Sequence, residues 1–370
     1  MARHNGPTWI DERTGSGHER RGGRLMRRRP PRIALIHRSS HHATPSGHAR
    51  LPEHIAGVRT IRGAGSIVPY RLRKVITPVP GAGPLYDSSS LAKELTAVGA
   101  AATRPHRRGI VHYLDGERDV GPGATVLAAS RWRTLASFHL PAASIEALPP
   151  RPAFGRLDAA IALATSQVEA IGARTRGAPV HLVPYGVDTS WFTPSERDPG
   201  PPRLLFVGHH LRDFRILAEA LDALSGRVAD LTVTAVTLPG ARDLLPDRPW
   251  LRVRTGLTDH ELRAEYREAS LLVLPLTDAA ACTALLEALA CGLPVAATDV
   301  GGVRDYLDEG CGALVEPNSA EAFVEATAAL LGSHEIEGTL RVAARTRALT
   351  FSWTEVAARV AAIYDRLQAD

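Results

Sequence analysis

A loop of small residues near position 280 leads into a helical segment that contains a carboxylate. The loop is TDAAACTA, residues 277–284, and the segment that follows is ALLEALACGLPVAATDVGGVRDYL, residues 284–307. At the start of a helix the first backbone N–H groups lack partners within the helix, and the helix dipole is positive there. Small side chains let a ligand approach these N–H groups, so the pattern predicts a site for an anion such as a phosphate.

The carboxylate is Glu287, which the sequence places in the first turn of a helix that starts near Cys282 or Thr283. A carboxylate beside a phosphate is unfavourable unless it accepts hydrogen bonds, and the hydroxyls of a ribose would donate them. The alternative is an ordinary helical glutamate that the helix dipole stabilises. The spacing alone leaves both interpretations open.

The elements that position this loop form two series of short apolar segments separated by helical ones. Such alternation predicts parallel sheets built from strand–helix–strand units, and hence an α/β fold. The first series comprises residues 32–37, 109–114, 125–130 and 159–165, and the second comprises residues 203–208, 231–236, 251–256, 270–276, 293–298 and 312–317. Open α/β sheets bind ligands beyond the carboxyl ends of their strands, so we expect the site in a cleft between the two sheets.

The segment SERDPGPP, residues 195–202, is rich in proline and charge, which is typical of an interdomain linker. It divides the chain into a predicted N-terminal domain, residues 32–194, and a predicted C-terminal domain, residues 203–351. Ser/Thr-x-x-Glu sequences are typical of helix N-termini, and they occur at Ser166, Thr258 and Ser352.

Basic charge is concentrated at the N-terminus. The 370-residue chain has 44 Lys and Arg against 39 Asp and Glu, and its first 32 residues contain nine arginines and three acids. The remainder is close to neutral, which argues against a nucleic-acid partner. Residues 1–31 are predicted to be a disordered basic tail. A true start at Met26 and weak electrostatic contact of the tail with an anionic membrane surface are the alternatives.

The cysteines indicate a reducing compartment. Cys282, Cys291 and Cys311 show no paired metal-ligand spacing and no disulfide framework. No segment approaches the length of a membrane-spanning helix. We therefore expect a cytoplasmic protein that is at most peripheral to a membrane.

Several motifs in a fixed order resemble the retaining glycosyltransferases of family 4, which have the GT-B fold. LLEALACGLPVAATDVGG, residues 285–302, resembles that family's nucleotide-binding segment, and LVPYGVDTSWFTP, residues 182–194, resembles its interdomain PxGVDxxxFxP motif. TDHELRAEYREASLLVLP, residues 258–275, and FSWTEVAARVAAIYDRL, residues 351–367, also match. The resemblance covers most of the chain and implies two Rossmann-like domains that face a cleft, with a final helix, residues 352–370, returning to the N-terminal domain.

The resemblance implies transfer of a sugar from a nucleoside diphosphate sugar with retained anomeric configuration, without a cofactor or a required metal. The family has a basic pair after the first strand of the second domain, and here the matching residues are His209 and Arg212. A guanidinium fork suits phosphate oxygens and is always charged, so Arg212 is expected to stabilise the diphosphate. Its alternative is a solvated residue at a helix start.

In the first domain, LASFHLP, residues 135–141, resembles the segment whose histidine faces the donor sugar, which makes His139 a second predicted catalytic residue. A satisfied buried histidine is the alternative. TPSGHARL, residues 44–51, matches the family's glycine loop, with Gly47 allowing close backbone approach. Glu117, within VHYLDGE, receives no role. The remaining residues predicted to bind the donor are Glu287, Cys282, Thr283 and Ala284.

One position departs from the family. The family commonly has two glutamates eight residues apart, and the first would fall at Ala279, so the usual side-chain contact to the donor sugar is missing. Backbone N–H groups between Ala280 and Thr283, the Thr283 hydroxyl and His139 are expected to contact the sugar instead. Together with His209, Ala279 supports an alternative function, a non-catalytic protein that binds nucleotide sugars.

Neither the acceptor nor the nucleotide follows from the sequence. A Rossmann oxidoreductase would share the fold signals, but FVGHHLRD, residues 206–213, lacks the G-x-G-x-x-G motif.

Overall fold

The computed structural model describes residues 32–37, 47–62, 85–103, 106–195, 200–332 and 334–369. Its strands form two parallel six-stranded sheets. The first sheet has the order β2-β1-β3-β4-β5-β6, with strands Arg32–His37 (β1), Val58–Arg62 (β2), Gly109–Tyr113 (β3), Trp132–Phe138 (β4), Ala159–Ala162 (β5) and Val180–Leu182 (β6). The second has the order β12-β11-β10-β7-β8-β9, with strands Arg203–Val207 (β7), Thr232–Val236 (β8), Leu251–Arg254 (β9), Leu271–Leu274 (β10), Val295–Thr298 (β11) and Gly312–Val315 (β12).

Helices connect the strands and cover both sheets. The α-helices are Ser88–Ala102 (α1), Gly116–Asp119 (α2), Pro122–Ala128 (α3), Ala142–Glu146 (α4), Val168–Arg174 (α5), Phe214–Arg227 (α6), Asp259–Glu268 (α7), Thr283–Ala290 (α8), Val303–Tyr306 (α9), Ala320–Leu330 (α10), His334–Leu349 (α11) and Trp353–Ala369 (α12). Short 3₁₀ helices span His48–His54, Pro152–Arg156, Thr165–Gln167 and Pro239–Leu244. Among the described residues, no helix is both long and apolar enough to span a bilayer.

Nine of the ten predicted strand segments contain a strand, and the exception is residues 125–130. That prediction is wrong, because the segment belongs largely to α3. Pro122 occupies the first helical position, where its missing N–H costs nothing. The carboxylate of Glu94 accepts hydrogen bonds from the backbone N–H groups of Gly121, Gly123 and Ala124, which satisfies the start of the helix. An apolar run of this length does not by itself distinguish a strand from a short buried helix.

Two of the three predicted helix starts are found. Thr258 and Glu261 form a reciprocal capping box at the start of α7, and Ser352 Oγ accepts a hydrogen bond from the Glu355 backbone N–H. The prediction at Ser166 is wrong, because a 3₁₀ turn, Thr165–Gln167, comes first and α5 begins only at Val168.

The C-terminal helix α12 contacts the first sheet. The Tyr364 hydroxyl lies 2.7 Å from His112 Nδ1 on β3, and an Arg108 Nη1–H group donates to the Gln368 carbonyl at 2.8 Å. Before the helix starts, the Val187 backbone N–H donates to the Phe351 carbonyl. The domain boundaries remain a prediction, because residues 196–199 of the proposed linker and the whole basic tail, residues 1–31, lie outside the described residues.

The two sheets meet through hydrogen bonds between loops at their carboxyl ends. The Tyr306 hydroxyl donates to the Leu163 carbonyl at 2.6 Å and accepts from the Tyr185 backbone N–H at 2.9 Å. Beside it, both carboxylate oxygens of Asp305 accept hydrogen bonds from Thr165, one from the backbone N–H and one from the hydroxyl. These bonds fix the loops that follow β5 and β11 against each other.

Candidate functional site

Strand order places the candidate site. In the first sheet β1 lies between β2 and β3, and in the second sheet β7 lies between β8 and β10. Successive strands are therefore added on opposite sides of β1 and of β7, which makes these strands the switch points of the two sheets. Ligands of open α/β sheets bind beyond the carboxyl ends of the strands at such switch points. A ligand is therefore expected to contact the residues that follow β1 and β3 in the first sheet and β7 and β10 in the second.

Arg212 lies at the switch point of the second sheet, in the loop after β7. Its Nε–H donates to the Val207 carbonyl at 3.1 Å and its Nη1 to the His210 carbonyl at 3.0 Å, while Nη2 lies 3.4 Å from Cys282 Sγ. No carboxylate of the described residues forms an ion pair with it. Gly208 has a φ of +111°, and a Cβ at this position would lie 2.7 Å from Arg212 Nη2. Only glycine therefore leaves room for the guanidinium. The guanidinium of Arg212 is therefore held in a fixed position, and no carboxylate of the described residues neutralises its charge.

Helix α8 starts directly beside this guanidinium. Cys282 is its N-cap residue, is buried, and gives the helix no side-chain capping hydrogen bond. The start of α8 thus has no side-chain cap from Cys282 and lies beside the Arg212 guanidinium, and both features favour an anion. Arg212 and Cys282, which the sequence predicted separately, are thus brought together.

Glu287 is the fifth residue of α8, which places it beyond the first turn predicted for it. Its side chain is only 4% exposed, and its Oε2 atom accepts a hydrogen bond from the Tyr266 hydroxyl at 2.8 Å. Burial, together with the adjacent Glu287 charge, raises the pKa of Tyr266 well above its ordinary value, so Tyr266 remains a neutral donor. The carboxylate is a fixed, buried group rather than a solvated helix residue.

The other predicted donor residues occupy the same loop. Thr283 is half-buried at the first position of α8, whereas Ala284 is 3% exposed. Ala279 is also buried, and its carbonyl accepts a hydrogen bond from the Gly302 N–H at 2.8 Å.

His209 lies in the loop after β7 and is exposed. Partial desolvation and the nearby His210 and Arg212 charges lower its pKa. His209 therefore adds no permanent positive charge where the family has an arginine.

A second group of polar side chains lies at the carboxyl ends of β1, β3 and β4. His48, Asp115 and His139 follow these three strands in turn. His48 Nε2 and Asp115 Oδ2 are 3.3 Å apart, and the centroids of the His48 and His139 rings are 4.8 Å apart. Burial alone would raise the pKa of Asp115, but the adjacent His48 and His139 hold it below its ordinary value. Asp115 is therefore a carboxylate at neutral pH.

Below this group, Glu117 holds the backbone of His139. The His139 backbone N–H lies 3.2 Å from both carboxylate oxygens of Glu117, and the ring Nε2–H donates to the Leu114 carbonyl at 2.6 Å. Burial, with the Asp115 charge nearby, raises the pKa of Glu117 to about 7. These hydrogen bonds fix both the backbone and the ring of His139, which is half-buried.

Gly47 immediately precedes His48 and is buried, but its φ of −88° is one that any residue adopts. The part of the loop before Gly47 lies outside the described residues. His48, Asp115 and Tyr266 were not predicted from the sequence. Each stands within a segment already quoted, yet their roles depend on contacts between residues that are distant in the chain.

Part of the chain is similar to known proteins. Residues 201–333 match the model of the family described as glycosyl transferases group 1. The D-inositol 3-phosphate glycosyltransferase of Pseudarthrobacter chlorophenolicus is 32% identical over 202 residues, which are 48% of this chain and 48% of that protein. The protein of the same name from Geodermatophilus obscurus is 32% identical over 212 residues, 50% of this chain and 46% of that protein. The chain thus spans about half the length of the curated relatives it matches.

Solved structures align over nearly the whole chain. Sucrose-phosphate synthase from Thermosynechococcus elongatus has a TM-score of 0.65 at 19% identity and covers 92% of this chain and 100% of its own. Anabaena HepE in complex with UDP and glucose has a TM-score of 0.64 at 15% identity, with coverage of 91% and 100%. The predicted fold class is confirmed: the chain has the GT-B fold, with two Rossmann-like sheets facing a central cleft.

Proposed function

We propose that this chain is a glycosyltransferase that moves a sugar from a nucleoside diphosphate sugar to an acceptor hydroxyl. The observation on which the proposal rests is the position of Arg212, which lies 3.4 Å from the N-cap residue of α8 at a switch point of the second sheet. A fixed guanidinium and an uncapped helix start together suit a diphosphate, whose charge grows as the glycosidic bond breaks. The match of residues 201–333 to glycosyl transferases group 1 supports it.

Donor binding extends from this anion site along α8. In the proposed arrangement Arg212 and the N–H groups near Cys282 contact the diphosphate, and Glu287, held by Tyr266, accepts hydrogen bonds from the ribose hydroxyls. Thr283 and the backbone N–H groups that precede it contact the sugar from this side. His139 contacts it from the other sheet. A uridine nucleotide is the first donor to test, because HepE, a protein of the same fold, binds UDP.

The finer features are inferred from the motifs of family 4. We propose that the reaction retains the anomeric configuration, requires no cofactor, and takes place in the cytoplasm. The curated relatives are named for an inositol 3-phosphate acceptor, so that compound belongs in an acceptor panel. The contact of the basic tail with a membrane also remains a proposal.

Two residues favour the second candidate, a non-catalytic protein that binds nucleotide sugars. Ala279 stands where the family has a glutamate, and the exposed His209, with its lowered pKa, stands where the family has an arginine. Both changes remove a charged contact to the donor. Binding would survive through Arg212 and Glu287 while turnover would fall.

The experiment is an assay of nucleoside diphosphate release and sugar transfer for UDP-, GDP- and ADP-sugars, with a panel of polyol and sugar acceptors. The proposed enzyme releases the nucleoside diphosphate faster when its acceptor is present, and NMR of the product shows the donor's anomeric configuration. Binding of a nucleotide sugar without turnover on any acceptor would favour the non-catalytic alternative. A product of inverted configuration would contradict retention.

A further inference from the structure

We propose that His48, Asp115 and His139 form a binding site for a divalent transition-metal ion of the zinc type. Each of the three residues offers one ligand atom, and these atoms all lie within 4.8 Å of one another. The separation of His48 Nε2 and Asp115 Oδ2 is 3.3 Å. In a tetrahedral zinc site with bonds of about 2.0 to 2.1 Å, neighbouring ligand atoms are also about 3.3 Å apart.

The donor set suits such an ion. Imidazole nitrogens with a carboxylate oxygen select zinc and its neighbours in the first transition series, whereas calcium and magnesium prefer oxygen alone. An aspartate side chain is ordinarily ionised at neutral pH, so Asp115 can offer a carboxylate oxygen as a ligand. Three protein ligands leave the fourth tetrahedral position for water or a hydroxyl group.

Two of the ligand atoms are buried, and coordination of an ion would stabilise them. His48 Nε2 and Asp115 Oδ2 are both shielded from solvent, and neither makes a well-formed hydrogen bond to any of the described residues. Buried polar atoms in this condition cost free energy. An ion between them would coordinate both atoms, in place of the 3.3 Å contact that they make with each other.

Neighbouring groups fix the positions of two of the ligands. Because a carbonyl oxygen can only accept, the 2.6 Å contact of His139 Nε2 with the Leu114 carbonyl fixes the proton on Nε2, and the lone pair of the neutral ring is on Nδ1. Such a second hydrogen bond is typical of metal-binding histidines. The His48 backbone N–H donates to the Tyr185 hydroxyl at 2.8 Å, which anchors the start of its 3₁₀ helix.

The test is a titration of the metal-free full-length protein with Co²⁺, followed by visible absorption, and then competition with Zn²⁺. We expect one Co²⁺ to bind per chain, to show the intense visible absorption of a tetrahedral ion, and to be displaced by Zn²⁺. The variants His48→Ala, Asp115→Asn and His139→Ala should each weaken binding by more than about tenfold. His54→Ala is the matched control, because His54 is exposed on the same 3₁₀ helix and lies outside the cluster.

Circular dichroism confirms that each variant is folded, and Asp115→Asn keeps the shape of the side chain if an alanine variant fails to fold. Absence of stoichiometric Co²⁺ binding would overturn the proposal. So would binding that persists unchanged in folded His48 or Asp115 variants, since the ion would then be held by other histidines of the chain. The spectrum requires no sugar donor, so its outcome is independent of the proposed transferase activity. A bound ion would take His139 as a ligand, so the sugar contact proposed for His139 applies to the metal-free chain.

Discussion

Glu117, to which the sequence assigned no role, is a buried acid that titrates near neutral pH because of its surroundings. Its pKa is raised from 4.5 to about 7 by burial and by the Asp115 charge, while the His139 N–H favours the ionised form. Between those two values the folded chain binds a proton that the unfolded chain has lost. Stability therefore decreases as pH rises through this window, and the loss is complete above the folded-state pKa.

In the variant Glu117→Gln, the amide oxygen can still accept a hydrogen bond from the His139 N–H, but the side chain cannot ionise. Between pH 5 and pH 8 the wild type should lose about 2 to 3 kcal/mol more of its unfolding free energy than the variant does. Urea unfolding at both pH values measures this difference. Glu309→Gln, at an exposed position, is the control and should follow the wild type. Equal pH dependence in wild type and Glu117→Gln would contradict the assignment.

The residues of the anion-binding loop could be predicted from the sequence, whereas the residues that hold them in place could not. Arg212 and Cys282 were both selected from the sequence, and they lie in contact. The partner of Glu287 was not selected, because Tyr266 is 21 positions away on another helix and no local spacing connects them. The cluster of His48, Asp115 and His139 combines residues that follow three different strands, so only the strand order brings them together.

At the level of elements, α3 shows how tertiary contacts decide between a strand and a helix. The sequence of residues 125–130 suits either, and the buried carboxylate of Glu94 selects the helix by binding its N-terminal N–H groups. The same carboxylate accepts hydrogen bonds from the Tyr86 and Tyr113 hydroxyls. All five of its partners are donors.

Glu94→Gln should therefore be strongly destabilising despite its similar shape. A glutamine offers one acceptor oxygen, and its NH₂ group would face other donors, so several buried groups would lose their partners at about 1 to 3 kcal/mol each. We expect the free energy of unfolding to fall by at least about 3 kcal/mol in a urea titration. Glu146→Gln, at an exposed position on α4, should change it by less than about 0.5 kcal/mol. A change at Glu94 no larger than this control would show that the carboxylate is not needed to start α3.

At the scale of the whole molecule, strand alternation was enough to predict two parallel sheets and a cleft between them. The pattern could not show how the sheets are held together, because those contacts involve single residues. Tyr306 donates to the Leu163 carbonyl and accepts from the Tyr185 N–H, so one phenol connects the two halves. Three strands, β2, β4 and β6, lie outside the predicted segments. β2 and β6 have only five and three residues, which give little periodicity.

In the function proposed here, the cleft holds a nucleoside diphosphate through Arg212 and the start of α8. Calorimetry tests it directly, with UDP, GDP and ADP and the matching nucleosides titrated into the wild type, Arg212→Gln and the control Arg215→Gln. Arg215 is exposed near the start of α6 and pairs with Glu219, a surface contact that contributes little.

We expect Arg212→Gln to weaken binding of the preferred nucleoside diphosphate by about 10- to 100-fold, because the variant loses hydrogen bonds between charged groups worth about 1.5 to 3 kcal/mol. Affinity for the nucleoside should stay within about twofold, and Arg215→Gln should bind both ligands as the wild type does. Equal losses for nucleoside and nucleoside diphosphate, unchanged diphosphate affinity in a folded Arg212 variant, or no binding of any nucleoside diphosphate would contradict the proposed function.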